Sequence, residues 1–509
     1  MKKVFLCIAA LAFAAYAYAQ KNADPEKYAR YINAEDARKH LSILASDEFE
    51  GRETGKPGAD KAANYIANEF KKLGLQAPVN GSYFLDIPLV ENSIKISVAV
   101  NGQTFTSGKD FLAGRGAMAD RSINVSEIVF IGYGTESEIA NIDITGKVLL
   151  WVNEDKPEAG KTPNTSYRMS TARTQIVKNL QAKNPALILA ANADITNVLK
   201  RFGSSYTRGR LSIKKEGNTP TLAAVLNITT AMADQLVKSS GKTYADLKTS
   251  AAQSIKAEVK ADIHTDVKDV KAVDVLGFLP GTDLKDEVLV FSAHYDHIGL
   301  NTKGPDKVNN GADDDGSGTT DILEIARAFT EAQKAGHGPR RSILFLGNVG
   351  EEKGLLGSEY YTDHPVFPLA NTITDLNIDM IGRVGFDYIG KPDSANYVYT
   401  IGSAMLSKEL HQVNEDANNK YVHLEQDYKY DDPNDPNRFY YRSDHYNFAK
   451  HGVPIIFYFN GVHADYHQPG DEVSKINFPL LAKRAQLVFY TGWELANRDK
   501  RPVVDAAVK

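Results

Sequence analysis

Cysteine is almost absent from this chain of 509 residues, the only one being Cys7. A single cysteine so near the start excludes a disulfide framework and leaves no thiol nucleophile for catalysis. Charge of one sign is also lacking. A net charge of −5 and a pI near 6.2 give no reason to expect nucleic acid. The one local basic stretch, Lys200, Arg201, Arg208, Arg210, Lys214 and Lys215, has no interleaved aromatics and reads as a solvated face. Beyond the first residues no apolar run is long enough to span a bilayer, so no stable membrane insertion is expected. Internal repeats and low-complexity tracts are missing too.

What is present is ordinary core material. Hydrophobic residues make up 42% and charged residues 24%, a globular composition. The length predicts two or three domains. The N-terminus reads as a secretory signal. Lys2 and Lys3 give the positive end, Val4 to Tyr16 the apolar core, and Ala17-Tyr18-Ala19 the cleavage pattern, so the mature chain is expected from Gln20. Export to the periplasm or the extracellular space follows.

The texture then changes twice. Asn33 reads as a helix cap with Asp36 three residues on, opening a helix to about Ala45, and a second helix is expected from Gly58 to Leu73. Between them Asp47-Glu48-Phe49-Glu50-Gly51-Arg52 reads as a polar turn. Residues 91–261 alternate like strands, with one helix around Ala172 to Leu180, and are expected to form an inserted β-rich domain. It divides an N-terminal part, 20–90, from a main part, 262–509. In the main part, apolar strands are expected at Glu287 to Ala293, Ser342 to Val349, Leu376 to Ile381 and Val453 to Phe459. Helices are expected at Thr319 to Ala335, Ala404 to Asn418 and Phe478 to Asn497. Wholly apolar strands alternating with helices predict an α/β fold, a mostly parallel mixed sheet sandwiched by helices. Such sheets bind ligands beyond the carboxyl ends of their strands.

Metal-type side chains gather at those ends. His294 closes the first strand, and Asp296 is placed to accept its second ring N–H. His297 reads as supporting or structural. Asp313-Asp314-Asp315 form a glycine-flanked acidic loop before a helix. Calcium-loop spacing is missing there. Adjacent carboxylates repel unless cations hold them, so Asp313 is read as bridging two metals, with Asp314 and Asp315 shaping the loop and capping the helix. Glu351 and Glu352 follow the next strand, and neighbours on an extended segment point apart. That suits Glu352 as ligand and Glu351 as general base. Asp379, an acid among apolar residues in a strand, is costly unless paired or metal-bound. His467 is the candidate for the last ligand. Tyr466 is read either as an oxyanion donor or as a packing tyrosine. Asp444 and His445 are read as supports. Two histidines and three carboxylates with one carboxylate spare suit two-metal hydrolysis by an activated water.

Taken together, His294-Tyr295-Asp296-His297, Gly311-Ala312-Asp313-Asp314, Gly350-Glu351-Glu352, Asn377-Ile378-Asp379-Met380 and Tyr466-His467-Gln468-Pro469-Gly470-Asp471 resemble the M28 family of di-zinc exopeptidases. The resemblance implies a zinc-exopeptidase fold and two Zn2+ ions. One would be held by His294 and Asp379, the other by Glu352 and His467, with Asp313 shared and Glu351 as base. It further implies peptide substrates and a protease-associated (PA) domain at 91–261. The family trims amino-terminal or, in some branches, carboxy-terminal residues, and an aminopeptidase is the first expectation. Arg383 either meets a substrate carboxylate or is structural. A glutaminyl cyclase, with one working zinc, and a non-catalytic binding protein on the same fold are the alternatives; the complete ligand set argues against both. Oligomeric state is not legible.

Overall fold

The computed structural model describes residues 24–113, 120–203, 209–215, 222–301, 303–392 and 394–506. The expected signal segment lies outside them. The chain folds as two compact units, one made of residues up to Leu89 together with Val270 onwards, the other of Val90–Asp269.

The first unit is built on a sheet whose order is Glu425–Asp427, Tyr397–Ile401, Ile455–Phe459, Thr372–Ile378, Leu284–His294, Arg341–Asn348 and the end of the strand Gln253–Leu279. The four strands from Ile455–Phe459 to Arg341–Asn348 run parallel. The pairs Tyr397–Ile401 with Ile455–Phe459 and Arg341–Asn348 with Gln253–Leu279 are antiparallel. Every residue of Arg341–Asn348 and Thr372–Ile378 is buried, which explains apolar runs without alternation. On one face Val288, Val290, Leu344 and Leu346 pack with Tyr361 and Phe448. On the other, Phe291 stacks on Phe345 at 5.5 Å and meets Phe329 of the helix Gly316–Lys334 at 5.8 Å. Both faces of the sheet are therefore covered, as in the mostly parallel sheet sandwiched by helices expected above.

The helix capped by Asn33 spans Ala34–Leu44, with the Asn33 side chain accepting from the Glu35 and Asp36 amides. A second runs Pro57–Leu73, and the long helices are Gly316–Lys334 and Phe478–Asn497. One expected strand stops early. Thr372–Ile378 ends before Met380, whose backbone is left-handed at φ 59°, so Leu376 to Ile381 does not continue as strand. The strand Tyr397–Ile401 was not expected.

The second unit holds three parallel strands, Val148–Val152, Leu187–Ala191 and Ala224–Ile228, each wholly buried. Helices Thr171–Gln181, Ile195–Phe202 and Thr230–Val237 alternate with them. This unit is thus more α/β than the β-rich reading of its sequence. Among the described residues, no helix of the chain is long and apolar enough to cross a membrane.

Candidate metal centre

The parallel register brings the site together. His294 lies opposite Asn348, and Ser292 opposite both Leu346 and Asn377. Residues 294, 351–352 and 379 therefore emerge side by side at one sheet edge.

Asp314, not Asp313, enters the cluster. Its carboxylate lies 3.3 Å from His294 Nε2 and 3.1 Å from His467 Nε2. Asp313 faces elsewhere: Oδ1 accepts the Gly382 amide at 2.6 Å, and Oδ2 lies 3.1 Å from His463 Nε2. The reading of Asp313 as the shared carboxylate, with Asp314 as a mere loop-shaper, is corrected by one residue. Three consecutive aspartates carry no internal mark of which one points inward. That phase is set from outside, by Asp471, whose Oδ2 accepts both the Asp313 and Asp314 amides. Gly311 is required beside it. It sits at φ 55°, and a Cβ would come within 2.3 Å of the Asp314 carbonyl. Asp315 caps the helix as expected, accepting from Gly318 N at 2.8 Å, and it also accepts the Met380 amide at 3.1 Å. The Asp314–Asp315 peptide is cis.

The other residues fall as follows. Glu352 Oε1 lies 3.1 Å from His467 Nε2 and 2.9 Å from His297 Nδ1. Asp379 Oδ1 is 3.7 Å from His294 Nε2, and Glu351 Oε2 is 4.0 Å from the same nitrogen. Two groups of ligand atoms gather within 4.8 Å, His294 with Asp315 and Asp379, and His297 with Asp314 and Glu352. His297, read as supporting or structural, thus stands against Glu352 within this cluster. The nearest acceptor for His294 Nδ1 is the Asp296 backbone carbonyl at 3.0 Å rather than the Asp296 carboxylate at 3.7 Å. That carboxylate instead accepts from Thr54 Oγ1 at 2.6 Å and from the Glu351 amide at 3.2 Å. Asp444 is buried and accepts from Ser358 Oγ at 2.5 Å, and burial pushes its carboxyl up to about 7. His445 turns away, stacking on Phe457 at 4.6 Å. Arg383 pairs with Asp465 at 2.8 Å, and so ties down the loop that carries His467.

Electrostatics mark the centre as built for cations. His294 Nε2, both ring nitrogens of His297, Asp314 Oδ2 and Glu352 Oε1 are buried and make no acceptable hydrogen bond among the described residues. Buried polar atoms left so cost free energy unless something else satisfies them. Burial lowers the basicity of His467, but Asp314 and Glu352 overcome this and carry it up to about 10. Burial pushes Glu351 well above the carboxylate range; Glu352 and Asp379 push the same way, against His294. A mixed nitrogen and oxygen donor set of this kind suits zinc.

Beside the cluster lies a small pocket lined by Asp314, Glu351 and Asp379. Its walls are Met380, Phe439, Phe457, Phe459, Val462 and Tyr466. Arg442 at the rim donates to the Tyr466 hydroxyl at 3.3 Å.

These features place a candidate metal centre on a doubly covered, mostly parallel sheet. Residues 274–492 match the profile of peptidase family M28. A probable leucine aminopeptidase of Arthroderma otae is 29% identical over 231 residues, 44% of this chain and 58% of that protein. Aminopeptidase YwaD of Bacillus subtilis is 26% identical over 242 residues, 45% of this chain and 46% of that protein. The chain thus spans about half the length of the curated relatives it matches. An aminopeptidase structure from Aneurinibacillus sp. strain AM-1 shares the fold, with a TM-score of 0.56 at 19% identity, covering 95% of this chain and 98% of that one.

Proposed function

We propose that this protein is an exported two-zinc aminopeptidase that releases amino-terminal residues from peptides. The observation that carries the reading is the convergence of buried ligand atoms from His294, His297, Asp314 and Glu352 that make no hydrogen bond among the described residues, beside a pocket lined by Asp314, Glu351 and Asp379. His294 and Asp379 would hold one ion and Glu352 and His467 the other, with Asp314 shared between them and His297 set against Glu352. Zinc bound there would supply Lewis-acid polarisation of the scissile carbonyl and of the attacking water. Glu351 lines the pocket, its Oε2 4.0 Å from His294 Nε2 against 3.7 Å for Asp379 Oδ1. It would take the proton from water and return it to the leaving amine. Its raised pKa suits it to hold that proton between the two steps. Tyr466 accepts from Arg442, so its own O–H stays free to donate to the developing oxyanion. Burial pushes that phenol up, which keeps it protonated. The apolar walls favour an apolar residue at the trimmed end, in line with the leucine aminopeptidase names of relatives. Export rests on the Lys2 to Ala19 pattern, and the PA-like identity of the second unit on its place in the chain.

The test is a peptide-library digest by zinc-loaded protein, read by mass spectrometry. Release of free amino-terminal residues, apolar ones fastest, is expected. Cyclised glutaminyl peptides without free amino acid, or trimming from the carboxyl end, would refute the reading.

A further inference from the structure

The turn Asp47–Arg52 has no part in the chemistry above, yet it holds a buried cation. Arg52 is 1% exposed, and every hydrogen bond it makes goes to a backbone carbonyl. Nε donates to Tyr295 O at 2.8 Å, Nη1 to Leu44 O and Asn310 O at 2.7 Å each, and Nη2 to Gly311 O at 2.8 Å. Tyr295 follows His294, and Gly311 opens the loop that carries Asp314. One planar group thus spans the two ligand-bearing loops and the end of the helix Ala34–Leu44. Its charge also acts on Asp471, Asp314, Asp315 and Asp296.

The flanking residues repeat the pattern. Gly51 O accepts the Gly299 amide at 3.0 Å, and Arg52 O the His297 amide at 3.2 Å. Thr54 Oγ1 donates to Asp296 Oδ2 at 2.6 Å. Glu53 pairs at 2.8 Å with Lys353, next to Glu352. The backbone is left-handed at Glu50, Gly51 and Arg52, with φ of 51°, 65° and 50°. A Cβ on Gly51 would stand 2.4 Å from Asn309 O. Two non-glycine residues held in that region need surroundings that over-determine them, and such backbone gathers at functional sites.

We infer that Arg52 is a positioning residue for the metal centre, its guanidinium fork fixing the loops of His294, His297 and Asp314 in ligating geometry; the inference rests on the metal reading above. Lysine could keep the charge but not four directed bonds from one plane.

The test compares zinc affinity of wild type, Arg52→Lys, Arg52→Met and Thr54→Val by chelator competition, with circular dichroism of each zinc-free protein to confirm the fold. Partners that orient ligands typically change metal affinity by about 10–100-fold. Arg52→Lys and Arg52→Met are expected to weaken zinc at the upper end of that range, and Thr54→Val by about tenfold. Folded Arg52→Lys that binds zinc within about twofold of wild type would overturn the fork assignment. If neither Arg52 variant folds, Thr54→Val decides, and unchanged affinity overturns the inference. A wild type that binds no zinc would instead overturn the metal reading, and this inference with it.

Discussion

Both units place polar side chains at the carboxyl ends of short, wholly buried parallel strands, and they treat them in opposite ways. In the second unit Asn153 follows Val148–Val152, Asn192 follows Leu187–Ala191, and Asn227 lies near the end of Ala224–Ile228. These residues satisfy one another. Asn153 donates to Asn227 Oδ1 at 3.1 Å, Asn192 to Asn153 O at 2.7 Å, and buried Arg173 to both the carbonyl and the side-chain oxygen of Asn153 at 2.9 and 3.0 Å. In the first unit the residues at the equivalent edge, His294, His297, Asp314 and Glu352, present five buried atoms that make no hydrogen bond among the described residues, against one, Arg173 Nε, in the second unit's network. One architecture thus carries two kinds of polar edge. A closed network holds strands together, whereas an open one is held ready for something absent from the chain itself.

The sharpest way to break this comparison is to change neighbouring aspartates. Asp314→Asn is expected to abolish tight zinc binding and with it activity, because it removes the carboxylate shared by both histidines. Asp313→Asn removes only a charge already engaged by Gly382 and His463, and is expected to keep both zinc ions. Metal analysis of the two variants decides it; the reverse result would restore Asp313 as ligand. Glu351→Gln comes next. Zinc should remain, while turnover falls by about 10²–10⁴-fold, the span of general acid–base catalysis. Near wild-type turnover would remove Glu351 as the base.

On the closed side, Arg173→Met should cost about 3 kcal/mol of stability, as breaking a buried ionic network does. Arg173 pairs with Asp155 at 3.0 Å besides its bonds to Asn153. Urea denaturation reads the loss, and zinc content should not change. If zinc were lost instead, the second unit's edge would not be the purely structural network described.

The order of the site residues was legible because chemistry leaves residue types that periodicity does not explain. Acids such as Asp379 interrupt apolar strands, and His294 ends one. Strand ends then give the side of the sheet. Phase within a run of like residues was not legible: Asp313 and Asp314 are chemically the same, and Asp471, more than a hundred residues away, turns one inward and the other out. His297 and Arg52 were undervalued for a related reason. A histidine near another, or an arginine in a polar turn, acquires its meaning only from distant partners such as Glu352 and Gly311. In the second unit the helix Thr171–Gln181 was legible, whereas the eight-residue helices Ile195–Phe202 and Thr230–Val237, about two turns each, were too short to show a period.

The smallest effect concerns a satisfied charge at the surface of the first unit. Asp36 accepts from Asn33 Nδ2 and Lys39 Nζ at 2.9 Å each, and from Arg327 Nη1 at 2.7 Å. These bonds, that from Asn33 foremost, hold its carboxyl well below the usual range. A depressed folded pKa stabilises the protein above the unfolded value of about 4, and the contribution fades as pH falls below it. Asp36→Asn should therefore cost about 1 kcal/mol at pH 7, with the gap to wild type narrowing from about pH 4 downward. Urea midpoints of both proteins at pH 7, 5 and 3 measure it. A gap that stayed constant with pH would mean that the charge adds nothing beyond its neutral hydrogen bonds. It would also mean that, at the surface as in the second unit, geometry rather than charge holds the polar contacts together.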